Sequence, residues 1–131
     1  MTDRSTFPDP TYRDTILAPL FEGVKAHYAT GMDQINRAHL VMLRETAILS
    51  AEDAAKIAAA LSEITKTDLS ALAYTGEHED YFFGVEAQLR ERLGDLGGAL
   101  HTARSRNDMD HTLFKMALRT RASHLMQQVL T

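Results

Sequence analysis

The segment HTARSRND, residues 101–108, has the residue types needed to bind a carboxylate. Three of its residues can donate hydrogen bonds without adding charge: Thr102, Ser105 and Asn107. Arg104 and Arg106 carry planar guanidinium groups, each able to donate two parallel hydrogen bonds to one carboxylate. This combination of uncharged donors and cations predicts an anion-binding site whose natural ligand is a carboxylate.

Two glycines, Gly97 and Gly98, precede this segment, and a helical pattern of apolar residues follows it from about Asp110. The segment is therefore predicted to be a loop that leads into a helix, where backbone N–H groups and the helix dipole also favour an anion. A structural interpretation stays open on these residues alone. The segment could be a solvated basic turn in which Asn107 or Asp108 caps the helix.

The surrounding run, residues 78–119, resembles the first signature region of the argininosuccinate lyases, a family of the fumarase/aspartase superfamily. It contains, in order, an acidic pair at 79–80, a helix with Glu86 inside it, the turn GDLGG and the motif HTARSRND. The segment MDQINRAHLVML at 32–43 is similar, more loosely, to part of that family's N-terminal helix pair. The resemblance covers roughly residues 30–131 and is specific from residue 78 onward.

This resemblance implies a carbon–nitrogen lyase of arginine biosynthesis. Such an enzyme eliminates an amine or guanidine substituent from an N-substituted aspartate to give fumarate, and gives arginine as well when the substrate is argininosuccinate. Removing the proton next to the carboxylate pushes more negative charge into that carboxylate, so donors already aimed at it lower the barrier. The resemblance implies no cofactor or metal. It implies a homotetramer in which three signature regions from three subunits form each active site.

The resemblance also assigns residues to this site. Ser105, Arg106 and Asn107 are expected to contact substrate carboxylates. Thr102 and Asn36 are also expected to bind the substrate. Those expected to support them are His101, Arg104, Asp80 and Glu86. For the two acids, an ion pair to one of the arginines fits as well as a substrate contact. No catalytic residue is expected in this chain, because the family takes its general acid and base from two later regions.

Three departures from the family pattern bear on the substrate. The family's Trp-Gly-Gly-Arg stretch is absent, and the chain contains no tryptophan. Asn36 stands where a serine is typical, and an amide can bind either a carboxylate or the guanidino end of a substrate. Tyr81 follows the acidic pair where a histidine is usual. Other N-substituted aspartates therefore fit this sequence as well as argininosuccinate does.

Composition limits the classes of protein that the chain can represent. Its 131 residues and 44% hydrophobic content suffice for one domain with a core but not for a whole lyase of this type, so a fragment is expected. The net charge of −4, without a basic stripe, argues against a nucleic-acid surface. Zero cysteines, no signal-like N-terminus and no long apolar run predict a cytoplasmic protein that does not enter a membrane. Four histidines show no metal-ligand spacing: His27, His78, His111 and His124.

The apolar spacing predicts helices throughout, with no strands beyond a short pair. Residues 1–10 are expected to be an extended lead-in. The first helix, from Tyr12 to about Tyr28, is expected to kink or break at Pro19. Its predicted apolar face consists of Ile16, Leu17, Leu20, Val24 and Tyr28. Gly31 is expected to separate this helix from a second helix at 32–46.

Two further helices are predicted before the anion-binding segment. Ser50 and Asp53 resemble a capping box, which opens an alanine-rich helix. A loop is expected at 66–78, followed by a helix near Glu79 to Leu93. In that helix Glu86 and Arg90 stand four residues apart, the spacing of a helical ion pair.

The final pattern, from Asp110 to Thr131, is apolar on more than one side, which is typical of a helix inside a bundle. We expect residues 1–108 to form an N-terminal helical domain and residues 109–131 to begin a central helical bundle whose remainder is missing. The fragment alone is expected to lack lyase activity and to associate through this helix. The structural alternative is a terminal helix docked on its own domain. The functional alternative is a non-enzymatic helical interaction or ligand-binding module.

Overall fold

The computed structural model describes residues 8–66, 74–78 and 80–130, and over these residues the protein is all-α, as predicted. Six α-helical elements follow one another: α1 (Pro10–Tyr12), α2 (Ala18–Glu45), α3 (Ala51–Lys66), α4 (Tyr81–Leu93), α5 (Asp95–Gly98) and α6 (Arg106–Leu130). A π-helical turn, Arg13–Leu17, joins α1 to α2, and a 3₁₀ turn, Ala99–His101, follows α5.

Some of the sequence predictions fall outside the described residues. They concern most of the expected lead-in (1–7), the middle of the expected loop (67–73), Glu79 and Thr131. Residues 74–78, at the end of that expected loop, are not helical.

The first long helix contains a π-helical turn just before its proline. Asp9 caps α1 by accepting a hydrogen bond from the Thr11 N–H at 2.9 Å, and the π-helical turn follows directly. Pro19 lies at the start of α2. Proline has no N–H to donate, and the wider π-helical turn before Pro19 lets the chain stay helical. The chain therefore does not break at Pro19, which was one of the two predicted outcomes.

The π-helical turn also changes which side chains face the core. Ile16 and Leu20, which were expected on the buried face, are exposed, whereas Leu17 and Phe21 are buried. A π turn holds more residues than an α turn, so apolar positions assigned with a period of 3.6 fall out of register across it. That part of the predicted apolar face is therefore wrong.

The prediction that Gly31 separates two helices is also wrong, because α2 runs through it without interruption. A Cβ atom at position 31 would lie 2.9 Å from Cδ2 of Leu113 on α6. Gly31 therefore allows α2 and α6 to approach closely. A glycine is present here because of this helix contact and not because a helix ends.

The helix α3 begins at the predicted capping residue. The Ser50 hydroxyl accepts a hydrogen bond from the Asp53 N–H at 3.0 Å and donates one to the Asp53 carboxylate at 2.8 Å. Arg37 on α2 donates to Asp33 of the same helix at 2.8 Å and to Ser62 on α3 at 3.3 Å. The bond to Ser62 links α3 to α2.

One hydrophobic core lies between α2, α3 and α4 and is closed by the 3₁₀ turn and the start of α6. Its largest fully buried side chains are Leu43, Ile57, Leu61, Leu89, Leu100 and Met109. The GDLGG turn packs directly on α4, since a Cβ atom on Gly97 would lie 2.6 Å from backbone atoms of Leu89 and Arg90. A glycine at position 97 is what brings the following segment next to the core.

The last helix, α6, begins at Arg106, four residues before the predicted start at Asp110. Its buried residues are Met109 and Leu113. Its exposed large apolar residues are Phe114, Leu118, Leu125, Met126, Val129 and Leu130. The helix is thus apolar on more than one side, while the division into two domains near 108 stays a prediction. None of the helices in the described part of the chain is long and apolar enough to cross a membrane.

Candidate functional site

The first turn of α6 carries three of the candidate residues. Ser105 caps the helix: its hydroxyl accepts a hydrogen bond from the Asn107 N–H at 3.1 Å, and its own N–H donates to the Asp108 carboxylate at 2.8 Å. The cap is therefore Ser105, and neither of the expected caps, Asn107 or Asp108, takes that position. Arg106 and Asn107 are helical residues, not loop residues as predicted. Their backbones stand at the positive end of the helix dipole.

The Asn107 side chain is exposed at this helix start. Its amide has no hydrogen-bond partner within the described ranges, because the bond to Ser105 uses only the backbone N–H. An uncharged donor at this position can turn toward an incoming oxyanion without first breaking a bond inside the protein.

Arg106 is held in place by acids and by an aromatic ring. It pairs with Asp80, lies 3.7 Å from the Asp110 carboxylate, and sits with its guanidinium carbon 5.7 Å from the centre of the Phe83 ring. Asp80 is buried and also caps α4, accepting a hydrogen bond from the Phe83 N–H at 3.1 Å. The ion pair to an arginine, one of the two roles that the sequence left open for Asp80, is present in the structure.

Arg104 links the segment to α2. One of its nitrogens, Nη2, donates to Oδ1 of Asn36 at 2.6 Å and lies 3.2 Å from Nδ1 of His101. The other two nitrogens, Nε and Nη1, are buried and have no hydrogen-bond partner among the described residues. Burial lowers the pKa of the Arg104 guanidinium to about 10. Asn36 is itself 3% exposed, so this contact lies inside the fold.

His101 sits in a pocket that disfavours its charged form. Burial, and after it the neighbouring Arg104, lowers its pKa to about 4 although Glu86 opposes the shift. The ring packs on Phe82 at a centroid distance of 4.7 Å, and Nε2 lies 4.0 Å from a Glu86 oxygen. At neutral pH the imidazole is therefore uncharged.

Glu86 is paired along its own helix as the spacing predicted. Arg90 donates to the same Glu86 oxygen through Nε at 3.0 Å and through Nη2 at 2.8 Å. This pair lies beside the GDLGG turn, because a Cβ atom on Gly98 would be 2.9 Å from Arg90 Nη2. Glu86 thus supports the segment from the side of α4.

His39 was missed as a site residue by the sequence reasoning. Its Nε2 lies 2.9 Å from the carbonyl oxygen of Thr102, so it holds the backbone of the segment on α2. Thr102 is exposed, and Ala103 after it has a left-handed backbone with φ of 62°. The spacing of three residues between Asn36 and His39 could have indicated His39 as a site residue, because it puts both side chains on one side of a helix.

The described residues thus bring the predicted positions together in two groups. Ser105, Arg106 and Asn107 form the start of α6, and Asn36, His101 and Arg104 form a partly buried cluster joined by hydrogen bonds. No group of three or more histidine or acidic side chains in the described part of the chain could hold a metal ion. The arrangement defines an all-α protein segment that offers uncharged and cationic donors to an anion at a helix start.

Comparison with known proteins identifies the relatives of this segment. The chain is 58% identical over 126 residues to Argininosuccinate lyase 2 of Agrobacterium fabrum, which covers 95% of this chain and 25% of that protein. It is 34% identical over 125 residues to Argininosuccinate lyase 1 of Shouchella clausii, again 95% of this chain and 25% of that protein. With Argininosuccinate lyase of Methanothrix thermoacetophila it shares 41% identity over 73% of this chain and 19% of that protein.

The chain is therefore argininosuccinate lyase-like, and it corresponds to the N-terminal portion of those relatives. It spans about a quarter of the length of the first two, 25% in each case. No family model and no solved structure matches it. The resemblance predicted from the motifs is confirmed.

Proposed function

We propose that this chain supplies the carboxylate-binding part of a composite active site in an argininosuccinate-type carbon–nitrogen lyase. The observation that carries the proposal is the position of Ser105, Arg106 and Asn107 on the first turn of a long helix, at its positive end. The named relatives support it, because their identity to this chain extends over nearly all of its length.

The residues divide into those that touch the substrate and those that hold them. Contacts to the substrate are proposed for Asn107, Arg106, Ser105, Thr102 and Asn36. Supporting roles are proposed for His101, Arg104, Asp80 and Glu86. The charge of Arg106 is already shared with Asp80, so we expect Arg106 to orient a carboxylate rather than to supply most of the new binding energy. We expect Asn107 to supply the donor that tightens as charge develops.

The substrate class in this proposal is an N-substituted aspartate that yields fumarate. The elimination needs no cofactor, and its acid and base come from parts of the lyase beyond this segment. A homotetramer in the cytoplasm, without a nucleic-acid or membrane partner, belongs to the same proposal. The relatives favour this enzyme over the non-enzymatic module, since each is named a lyase.

A chimera tests this proposal. In it, this chain replaces the matching N-terminal quarter of the Agrobacterium fabrum lyase, to which it is 58% identical. We expect the chimera to convert argininosuccinate to fumarate, followed by ultraviolet absorbance, and we expect the 131-residue chain alone to show no turnover. A folded, tetrameric chimera without activity would refute the proposal. Turnover by the isolated chain would refute its composite site.

A further inference from the structure

Arg104 determines which atoms of its two neighbouring side chains, Asn36 and His101, face it. A guanidinium can only donate hydrogen bonds, so the atoms facing it must be acceptors. The contact at 2.6 Å therefore assigns the oxygen of the Asn36 amide to Arg104, and the contact at 3.2 Å requires an unprotonated Nδ1 on His101. The proton of the neutral imidazole then resides on Nε2, which faces Glu86.

The remaining end of the Asn36 amide is its NH₂ group, which has two donors and no acceptor. Asn36 lines a cavity of about 90 Å³ between α2, α3 and α4. This space holds about three water molecules or a carboxylate group. Asp33 also lines the cavity, but its two oxygens already accept hydrogen bonds from Arg37 at 2.8 Å and from Thr65 at 3.1 Å.

The environment of Arg104 reduces the free energy of folding that this side chain could contribute. Two of its three nitrogens are buried without a partner in the described part of the chain, and a desolvated donor that lacks an acceptor costs free energy. An apolar side chain of similar length would fill this space without that cost. An apolar side chain could not determine which atoms of Asn36 and His101 face it, as Arg104 does.

We propose that Arg104 is a positioning residue, which turns the Asn36 amide so that Asn36 offers only N–H donors to a substrate. Asn36 then recognises a carboxylate of the substrate and not its guanidino end. The substrate part of this inference rests on the proposed lyase function. The orientation of Asn36 and His101 does not, and it can be measured in the chain without any substrate.

The first experiment determines the tautomer of His101 in the 131-residue chain by nitrogen NMR at neutral pH. We expect the proton on Nε2, and we expect Arg104→Met to release this preference. Arg104→Lys retains a cationic donor and should restore much of it, while Arg121→Met, on the exposed part of α6, should change nothing. A proton on Nδ1 in the parent chain, or an unchanged tautomer in a folded Arg104→Met variant, would overturn the positioning role. If Arg104→Met does not fold, the parent tautomer and Arg104→Lys decide.

The second experiment uses Asn36→Asp in the chimera. A carboxylate at this position still accepts the bond from Arg104, which becomes charge-assisted, but it has no N–H to donate. We expect kcat/KM for argininosuccinate to fall about 10- to 100-fold, the usual effect of losing a hydrogen bond to a charged group, and mainly through KM. Gln34→Glu is the matched control, because it makes the same chemical change at an exposed position of α2.

The outcomes of the two experiments separate the two claims. A folded Asn36→Asp chimera within threefold of its parent in kcat/KM would overturn the recognition of a carboxylate at Asn36. A chimera that is inactive before any substitution would overturn the proposed function and the substrate part of this inference with it. The NMR result would still decide whether Arg104 orients its neighbours.

Discussion

At the scale of single residues, the exposed amide of Asn107 and the Ser105 cap can be separated experimentally. Asn107→Ala keeps the backbone N–H that bonds to Ser105, so the helix start stays intact. We expect turnover of the chimera to fall about 100- to 1,000-fold, as is typical when one preorganised donor is lost, with little change in Tm. Steady-state kinetics and thermal unfolding on the same samples check this.

Ser105→Ala provides the comparison for Asn107. It removes the cap and should cost about 1 kcal/mol of stability. If Asn107→Ala instead lowers Tm and leaves turnover within a fewfold of the parent, Asn107 has a structural role. The anion-binding role would then rest on Arg106 and Ser105.

His101 should make the fold sensitive to acid. Its folded pKa is lowered to about 4 from 6.5, so on acidification the unfolded chain takes up a proton before the folded chain does. The free energy of unfolding should therefore be unaffected by this residue above pH 6.5 and should fall as the pH drops from 6.5 to about 4. Urea unfolding of the parent and of His101→Gln at neutral and acid pH measures the difference.

The variant should lose less stability than the parent over this range, because glutamine has no proton to take up. His124→Gln, at an exposed position of α6, controls for a general effect of removing a histidine and should follow the parent. Equal losses in His101→Gln and in the parent would show that His101 is not desolvated as described.

At the scale of elements, the turn before α6 contains a strained alanine. Ala103 is exposed and has φ of 62°, a left-handed conformation that costs about 1–2 kcal/mol for a residue with a Cβ atom. Ala103→Gly removes this cost but adds flexibility to the unfolded chain, worth about 0.5–1 kcal/mol. We expect a net gain in stability of about 0.5–1 kcal/mol from urea unfolding.

Ala59→Gly, at an exposed position inside α3, is the matched control for this prediction. There the backbone is helical, so glycine should cost about 1 kcal/mol. A loss of stability in Ala103→Gly comparable to that in the control would mean that the turn is not left-handed.

The helices and turns also show which structural features a local sequence pattern can predict. The cap at Ser50 and the Glu86–Arg90 pair were predictable, because both are interactions between residues three or four positions apart. The start of α6 was placed too late, since its first three residues are polar and show no apolar period. The π-helical turn at Arg13–Leu17 likewise has no signal in a pattern read with period 3.6.

The sequence supplied most members of the candidate site but missed His39, and it gave no signal for the bonds between distant residues. The motif supplied the residues at 101–108, and the looser resemblance at 32–43 supplied Asn36. The bond from Arg104 to Asn36 joins residues 68 positions apart, and the bond from His39 to Thr102 joins residues 63 apart. Such contacts depend on how α2 packs against the 3₁₀ turn, which no local pattern encodes.

At the scale of the whole molecule, the exposed side of α6 carries a set of large apolar side chains. Phe114, Leu118, Leu125 and Val129 fall within about 60° of one another on a helix of 3.6 residues per turn, so they form one apolar stripe. Leu113 is buried against α2 on another side of the helix. The stripe therefore remains uncovered in the isolated chain.

We expect the 131-residue chain to self-associate through this stripe, because covering it removes apolar area from water at about 25 cal/mol per Å². Placing a charge in the middle of the stripe, with Leu118→Glu and Leu125→Glu together, should shift the chain toward the monomer in sedimentation velocity. Ser123→Glu adds a charge on a different side of α6 and should leave association unchanged. A parent chain that sediments as a monomer and does not bind a hydrophobic dye would contradict the expectation. Equal dissociation by the Ser123 control would attribute the effect to net charge rather than to the stripe.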